Sequence, residues 1–244
     1  AGVSDGIGDT GITLAENLRR IASVPLDRMP GTRWRYSVAT DVLGAVIEAA
    51  CDMPLSDAMA RLVTDPLGIE AGFHVDDAAN LAANYADDTP QPRRMQGLTH
   101  VPNPRHPGQI YSYLPERICD PTAFPSGGGG MAGTAQAALT LLETLVAGPF
   151  LSDAIRAEAH RNRIAQRHPM RGPGWGHAWA GAVLTDPVAA GIGLPPGCFS
   201  WGGIYGHSWI LDPVRHRCVV ALTNTAVEGM NGKFAARIAH AMAE

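Results

Sequence analysis

The sequence lacks long hydrophobic runs and clusters of basic residues. Its apolar stretches fall far short of the roughly 20 residues that a membrane-spanning helix needs, and its first residues lack the basic and then apolar pattern of a signal peptide. Basic residues adjoin only in the pairs Arg19–Arg20 and Arg93–Arg94, and the formal net charge is −4. We therefore expect a globular protein that has neither a membrane nor nucleic acid as a partner.

Closely spaced metal-binding or redox motifs are missing as well. The four cysteines form no C-x-x-C pair, so we expect free thiols. The nine histidines form neither H-x-x-x-H nor H-E-x-x-H, and we predict no metal and no other cofactor. The pairs His100/His106 and His160/His168 stand among arginines, which is typical of surface loops. His207, in "YGHSW", stands beside a glycine at the expected edge of a strand, where packing is its expected role.

Two catalytic motifs are incomplete. The run "PSGGGGMAGT", residues 125–134, lets the backbone approach another group closely, but it lacks the lysine and the serine or threonine of a P-loop. No G-x-S-x-G elbow occurs, and Ser126 lacks the preceding glycine of that motif. We therefore expect neither a phosphate cradle nor a self-contained Ser-His-Asp triad.

The first part of the chain shows helical periodicity. Thr13 and Glu16 have the spacing of a capping box, which predicts a short helix after them. An apolar stripe with a period near 3.6 predicts a well-buried helix over residues 39–50. A further helix includes Leu55 and is expected to stop at Pro66.

A long irregular segment and another helix follow. Residues 71–125 contain many prolines, aspartates and arginines with little periodicity, which predicts a loop of the kind that often walls a binding site. Apolar residues from Ala138 to Leu145 have helical spacing, and Gly148 is placed to end that helix. We assign residues 13–150 to a mainly helical region.

The last part of the chain changes character. "CFSWGGIYGHSWILD" and "RCVVALTNT" are rich in β-branched and aromatic residues, and the short "PVRH" between them predicts an antiparallel hairpin. Phe234, Ile238 and Met242 are spaced by four and predict a C-terminal helix over that sheet. This order of elements indicates an α+β fold, with the hairpin and the last helix in residues 198–244. Without a repeat or a linker, residues 1–244 are predicted to belong to one domain.

Tyr36 has two interpretations on its local sequence. It is either a half-buried aromatic residue whose hydroxyl finds a partner, or a proton-transferring group at the start of a helix. Because the pKa of an unperturbed tyrosine is about 10, the second role needs nearby cations that stabilise the phenolate. Arg33 and Arg35 are close in sequence, which leaves both interpretations open.

The motifs taken together resemble one family. "PGTRWRYSVATDVLGAVIE", "PSGGGGMAGTAQ" and "WGGIYGHSWILDP", in this order and with "LTNTAVEGM", resemble the serine β-lactamases and penicillin-binding proteins, specifically the family VIII carboxylesterases that are similar to class C β-lactamases. The resemblance runs through nearly the whole chain. It implies a β-lactamase/transpeptidase-like fold, with an antiparallel sheet flanked by helices, and hydrolysis of small-molecule esters through an acyl-enzyme.

The resemblance also implies roles for single residues. In the family a serine in S-x-x-K attacks the carbonyl and a tyrosine assists proton transfer, which is the place that Tyr36 takes here. Val38 stands where the family has an asparagine, so that a hydrogen bond to a substrate amide is lost. Trp201-Gly202-Gly203 corresponds to the K-T-G element of the family, at a strand edge that lines the cleft.

The neighbours of that element complete the implied site. The backbone N–H of Ile204 corresponds to one of the two oxyanion-hole donors, and His207 is assigned to substrate binding. Trp201 replaces a lysine that could bind the carboxylate of a β-lactam, and it supplies an apolar wall instead. We therefore predict a preference for uncharged short-acyl esters over penicillins.

The nucleophile that the resemblance implies is not in the sequence. Lys233 is the only lysine, and Met230 stands three residues before it, so S-x-x-K does not occur. We expect the chain to be the C-terminal portion of an enzyme, inactive alone, without the N-terminal strands and the S-x-x-K helix. Its expected partner is an N-terminal fragment or companion chain that carries Ser-x-x-Lys and covers an apolar strand edge at residues 217–224. The alternative is a non-catalytic binding module, and the sequence does not fix the compartment, with the cytoplasm slightly favoured.

Overall fold

The computed structural model describes residues 1–8, 11–103, 108–164 and 171–244. These residues form two units. The first consists of Ala1–Asp27 and Ser37–Thr134, and the second consists of Arg28–Tyr36 and Ala135–Glu244. The chain therefore enters the second unit twice, and the assignment of all residues to one domain stays a prediction.

The first helices of the first unit begin where the sequence predicts. Helix α1 is Leu14–Ala22, and the Thr13 hydroxyl caps it by accepting a hydrogen bond from the Glu16 N–H at 3.2 Å. The Glu16 carboxylate pairs with arginines of the same helix, so only one half of the predicted capping box forms. Helix α2 is Ala39–Cys51, which confirms the predicted helix after Tyr36.

The prediction that α2 is well buried is wrong for its apolar stripe. Val42, Leu43 and Val46 are 36%, 54% and 57% exposed. The buried positions of this helix are Asp41 and Gly44 instead. Periodicity locates an apolar face but does not show what covers it, and within the described residues this face of α2 is largely uncovered.

The glycine run packs against the buried side of α2. A side-chain carbon on Gly127 would overlap the carbonyl oxygen of Thr40, and one on Gly44 would lie 3.0 Å from the Leu55 side chain. Only glycine allows two backbones to come this close. The predicted close approach is confirmed, and the group that the run approaches is a helix of its own chain.

The third predicted helix continues past Pro66. Helix α3 is Leu55–Met59, a π-helical turn covers Ala60–Thr64, and helix α4 is Asp65–Leu67. Pro66 lies in the first turn of α4, where a missing N–H and a fixed φ are tolerated. The expected stop at Pro66 is therefore wrong, and the helix ends instead at Gly68, which has a φ of +60°.

The segment over residues 71–125 is largely irregular, as predicted, but it also contains short strands and 3-10 turns. The strands of the first unit are β1 (Ala71–Gly72), β2 (Tyr85–Ala86), β3 (Arg93–Arg94), β4 (Thr99–Pro102), β5 (Ile110–Tyr113) and β6 (Ala132–Gly133). They pair in antiparallel fashion as β1 with β6, β2 with β3 and β4 with β5. Pairs of two to four residues give too little alternation to be recognised in a sequence.

An antiparallel sheet of five strands, in the order β11-β10-β9-β8-β7, is the centre of the second unit. The strands are β7 (Trp175–His177), β8 (Ala182–Leu184), β9 (Phe199–Gly203), β10 (His207–Asp212) and β11 (Arg217–Leu222). Strands β10 and β11 form the predicted hairpin, with Asp212 opposite Arg217. β11 lies at an edge of this sheet, as expected for the segment after residue 217.

Helices cover this sheet. They are α5 (Ala135–Glu143), α6 (Asp153–His160), α7 (Pro187–Ala190), α8 (Glu228–Asn231) and α9 (Lys233–Ala243), and a short strand β12 (Thr225–Ala226) precedes α8. As predicted, α9 covers the sheet: Ile238 and Met242 pack into a core with Trp175 and Ile210. Helix α5 ends at Glu143, before the predicted Leu145.

The described residues agree with the predicted class of fold. Helices and antiparallel sheets in both units confirm an α+β protein. All four cysteines are free thiols, as expected. No helix in the described part of the chain combines the length and the apolar character that crossing a membrane requires.

Candidate active site

The segment Arg28–Tyr36 places Tyr36 beside the five-stranded sheet. The ring centre of Tyr36 lies 6.4 Å from that of Trp201, and the two planes are tilted by 31°. Tyr36 is 63% exposed, so it is not half-buried, and the two interpretations of its hydroxyl stay predictions. As predicted, it stands just before α2.

Four side chains form a continuous row of rings. The Trp34 and His177 rings are 5.2 Å apart, the His177 and Trp201 rings are also 5.2 Å apart and meet edge to face, and Tyr36 follows Trp201. Contacts of this geometry contribute about 0.5–1.5 kcal/mol per pair beyond the burial of area. Burial lowers the pKa of His177, which favours the neutral imidazole in this aromatic row.

Trp201 is the third of the five residues of β9 and the first of the predicted Trp201-Gly202-Gly203 element. It pairs with Trp209 of β10, and a side-chain carbon on Gly181 would lie only 3.2 Å from its Cβ. The guanidinium carbon of Arg171 lies 5.9 Å from the Trp201 ring centre and 5.4 Å from that of Trp175. The Arg171 guanidinium thus stacks on the indole of Trp201, and the role of this indole as an apolar wall of a substrate site stays a prediction.

The residues after Trp201 form a tight turn. Gly202 and Gly203 end β9, and the Gly206 N–H donates to the Gly203 carbonyl at 2.9 Å. Ile204 lies inside this turn, one residue beyond the strand that was expected to present its N–H. His207 begins β10 opposite Gly203, and burial lowers its pKa, in agreement with a packing role.

Val38 belongs to the first unit. It directly precedes α2 and is half-buried. Its carbonyl accepts hydrogen bonds from the N–H groups of Asp41 and Val42 at 3.0 and 3.4 Å. The structure thus gives Val38 a place in the start of a helix, while its assignment to substrate binding stays a prediction.

Ser126 has a structural role. Its hydroxyl donates to the Asp41 carboxylate at 2.6 Å, and both residues are buried. The hydroxyl also accepts a hydrogen bond from the Gly128 N–H at 3.2 Å. This geometry agrees with the prediction that Ser126 is not the nucleophile of a self-contained triad.

The remaining histidines are dispersed. His100 is exposed and contacts the Ser112 hydroxyl at 3.0 Å, as expected for a surface residue. His160 differs from that expectation, because its ring packs 4.7 Å from the Phe199 ring. His106 and His168 lie outside the described residues. Among the residues that the structure describes, no group of three or more His, Cys, Asp or Glu could hold a metal ion.

The sequence matches the family described as Beta-lactamase over residues 1–243. The chain belongs to the β-lactamase family. It is 45% identical over 233 residues to esterase EstB of Burkholderia gladioli, in a match that covers 95% of this chain and 59% of EstB. The predicted family is thereby confirmed, and the predicted similarity to an esterase is found in EstB.

Solved structures show the same relationship. EstCE1, described as a hydrolase with promiscuous acyltransferase activity, matches with a TM-score of 0.96 and 39% identity over 100% of this chain and 65% of its own. A penicillin-binding protein from Bacillus halodurans shares the fold, with a TM-score of 0.67 and 16% identity, over 94% of this chain and 63% of its own. The chain thus spans 59% to 65% of the length of these proteins.

Sequence reasoning did not identify three residues of the candidate site. Trp34 stands two residues before Tyr36, and in extended backbone such residues share a face, so alternation could have found it. His177 and Arg171 carry no motif, because the five-stranded sheet brings them to Trp201 from a distant part of the chain.

Proposed function

We propose that the protein is a serine hydrolase that acts on short-chain carboxylic esters, and that this chain supplies its base and the wall of its substrate site. The observation that carries the proposal is the contact of Tyr36 with Trp201. The family resemblance assigns proton transfer to the first residue and substrate contact to the second. The 45% identity to an esterase supports an ester as the substrate.

The proposed reaction is acyl transfer through a serine. The hydroxyl of a serine in a Ser-x-x-Lys segment attacks the ester carbonyl, and its proton passes to the Tyr36 phenolate, which the lysine stabilises. The Ile204 N–H and the N–H of the serine stabilise the negative charge on the carbonyl oxygen. The alcohol leaves with the transferred proton. Water that is deprotonated by the same base then releases the acid and regenerates the serine.

The nucleophile must come from a partner segment, because the 244 residues contain no S-x-x-K. Two surfaces support the presence of such a partner, which is an N-terminal fragment or a companion chain. In the first unit, the exposed apolar face of α2 includes Leu43 and Val46. In the second unit, the edge strand β11 borders a hollow of about 340 Å³ that is lined by Val219, Val220 and Leu139 of α5. Apolar faces and open strand edges of this kind are normally covered.

Trp201 supports a preference for neutral substrates. An indole in place of the family lysine leaves a β-lactam carboxylate without that partner, while the aromatic row offers apolar area to an acyl or alcohol group. Arg171 stacks on Trp201 and is the residue to vary as a check on this point. We expect a small neutral ester to be hydrolysed much faster than a penicillin, in the wild type and in Arg171→Met alike. Comparable turnover of both substrates would contradict the proposal.

Intact mass spectrometry of the protein purified from its source, under denaturing conditions, tests for the partner. We expect a second polypeptide, or a longer one, that carries Ser-x-x-Lys. In that assembly Tyr36→Phe should lower kcat for ester hydrolysis by about 100-fold or more, the usual contribution of a general base. Tyr111→Phe, which also removes a phenol hydroxyl but in β5 of the first unit, is the matched control and should keep full activity.

The outcome that overturns the proposal is a single species of this mass that binds an ester or a penicillin without turnover. The absence of S-x-x-K from the sequence favours that alternative, a non-catalytic binding module, if no companion exists. Full activity of Tyr36→Phe in the assembly would refute the role of the tyrosine and leave the family chemistry to another base.

A further inference from the structure

The turn that contains Ile204 is fixed by hydrogen bonds and by packing contacts with neighbouring elements. It joins β9 to β10, and Gly206 closes it by donating its N–H to the Gly203 carbonyl. Gly206 is buried and has a φ of +112°, in the region that favours glycine. The position of the Ile204 N–H therefore depends on how firmly Gly206 is fixed.

Thr223 fixes the other side of Gly206. The Thr223 hydroxyl donates a hydrogen bond to the Gly206 carbonyl. Thr223 directly follows β11, whose Leu222 is paired with His207 of β10, so the donor itself rests on the sheet. Gly206 is thus bonded through its N–H within the turn and through its carbonyl to the neighbouring strand.

Helix α8 closes the space behind the turn. A side-chain carbon on Gly229 would overlap both the Gly206 carbonyl oxygen and the Thr223 hydroxyl oxygen. One on Gly202 would lie 2.8 Å from the Met230 side chain, so the same helix also contacts the end of β9. Because these glycines have no side chains, α8 packs directly against the turn.

The start of α8 is strained. Val227 has a φ of +69° and a ψ of −57°, which a β-branched residue seldom adopts. Such a conformation persists only where the surroundings fix it. The Val227 carbonyl accepts a hydrogen bond from the Asn231 N–H at 2.8 Å, which secures the helix in this position.

From this arrangement we infer that Thr223 is a positioning residue for the oxyanion hole. Its hydroxyl, backed by Gly229 of α8, holds the turn so that the Ile204 N–H keeps one direction as negative charge develops on the carbonyl oxygen. The inference rests on the proposed function for its catalytic meaning. A preorganised donor acts because it does not need to reorient during the reaction.

The test compares Thr223→Val, which keeps the shape and removes the hydroxyl, with Thr223→Ser, which keeps the hydroxyl. Thr223→Ala is a second hydroxyl-free variant in case the valine disturbs folding. Thr185→Val is the matched control, because the Thr185 hydroxyl also donates to a glycine carbonyl, that of Gly174, at 2.9 Å. Far-UV circular dichroism and the melting temperature check each variant for folding.

Two readouts are measured on the purified assembly. Amide hydrogen exchange of the peptide that contains residues 203–207 should become about 3- to 10-fold faster in Thr223→Val, as expected for the loss of one hydrogen bond. kcat for a neutral ester should fall by about tenfold with KM nearly unchanged, because the hole acts on the transition state. Thr223→Ser and Thr185→Val should behave as the wild type in both.

The two readouts separate the possible failures. Unchanged exchange in Thr223→Val would show that the hydroxyl does not hold the turn. Faster exchange with an unchanged kcat would overturn the positioning role. A wild-type assembly without ester hydrolysis would overturn the proposed function and the catalytic meaning of the turn, whereas the exchange rates would still decide whether Thr223 holds it.

Discussion

Asp41 offers a sharp test of how the first unit is held together. Its carboxylate is 2% exposed and accepts a hydrogen bond from the Ser126 hydroxyl at 2.6 Å. Ser126 is 1% exposed, so its hydroxyl has no access to water that could replace this acceptor. Asp41→Ala would leave the buried hydroxyl without its carboxylate and open a void beside the glycine run. We expect a loss of roughly 2–3 kcal/mol in the free energy of unfolding.

The conservative variant Asp41→Asn adds a dependence on pH. Burial raises the pKa of Asp41 above its ordinary value of 3.8, while hydrogen bonds from Ser126 and Gly128 act in the opposite direction. A raised pKa means that the native state holds the proton more tightly, so this group stabilises the fold at low pH and the contribution is lost as the pH rises through the folded pKa. Asparagine stays neutral, so the variant should gain stability relative to the wild type as the pH rises above 3.8.

Urea unfolding followed by two probes measures the effect. All five tryptophans lie in the second unit, so their fluorescence reports on that unit, whereas far-UV circular dichroism reports helices of both. Asp87→Ala, which removes an exposed carboxylate of the first unit, is the control. Unchanged circular dichroism transitions in Asp41→Ala, or a stability difference between Asp41→Asn and the wild type that does not vary with pH, would refute the reasoning.

Two further predictions concern the second unit. Arg156 donates to the carbonyls of Thr144, Gly148 and Leu151 at 2.6–2.9 Å. Arg156→Met should lower the free energy of unfolding, measured by heat or urea, by roughly 3 kcal/mol. The exposed Arg161→Met should lower it by less than about 0.5 kcal/mol, and equal effects of the two variants would contradict the prediction. Burial lowers the pKa values of His160, His177 and His207 below 6.5. As the pH drops below 6.5, the unfolded state therefore binds more protons than the native state, and the free energy of unfolding should fall. Tryptophan fluorescence in urea should show this fall with a smaller slope in His207→Gln, and a flat profile would exclude it.

The sequence predicted the elements that depend on local chemistry. The capped helix after Thr13, the helix after Tyr36 and the hairpin around residues 213–216 follow from caps, periodicity and β-branched runs, and all three form. Prediction from the sequence failed where the structure depends on packing between several elements. The π-helical turn before Pro66 and the exposed stripe of α2 depend on what packs nearby, which a local pattern does not contain.

The candidate site shows the same division. Tyr36, Trp201 and the glycines after it were found because they belong to contiguous motifs. His177 and Thr223 were not found, because His177 in β7 reaches Trp201 in β9 across the intervening strand β8, and Thr223 reaches Gly206 from the end of β11. Side chains that act through the register of a sheet leave no signal in a single sequence.

The double entry of the chain into the second unit has a consequence for how the protein is made. Arg28–Tyr36 leaves the ribosome before the whole of Ser37–Thr134, and every strand of the sheet beside which it lies is synthesised later still. Tyr36 therefore cannot reach its position beside Trp201 until Trp201 has been translated and β9 has paired. The entropy of closing so long a loop grows only by about 0.6 kcal/mol for each doubling of its length, so the delay is one of time more than of stability. Docking of this tyrosine should be among the last events of folding, and a chain truncated before β9 would lack the Trp201 ring that Tyr36 contacts.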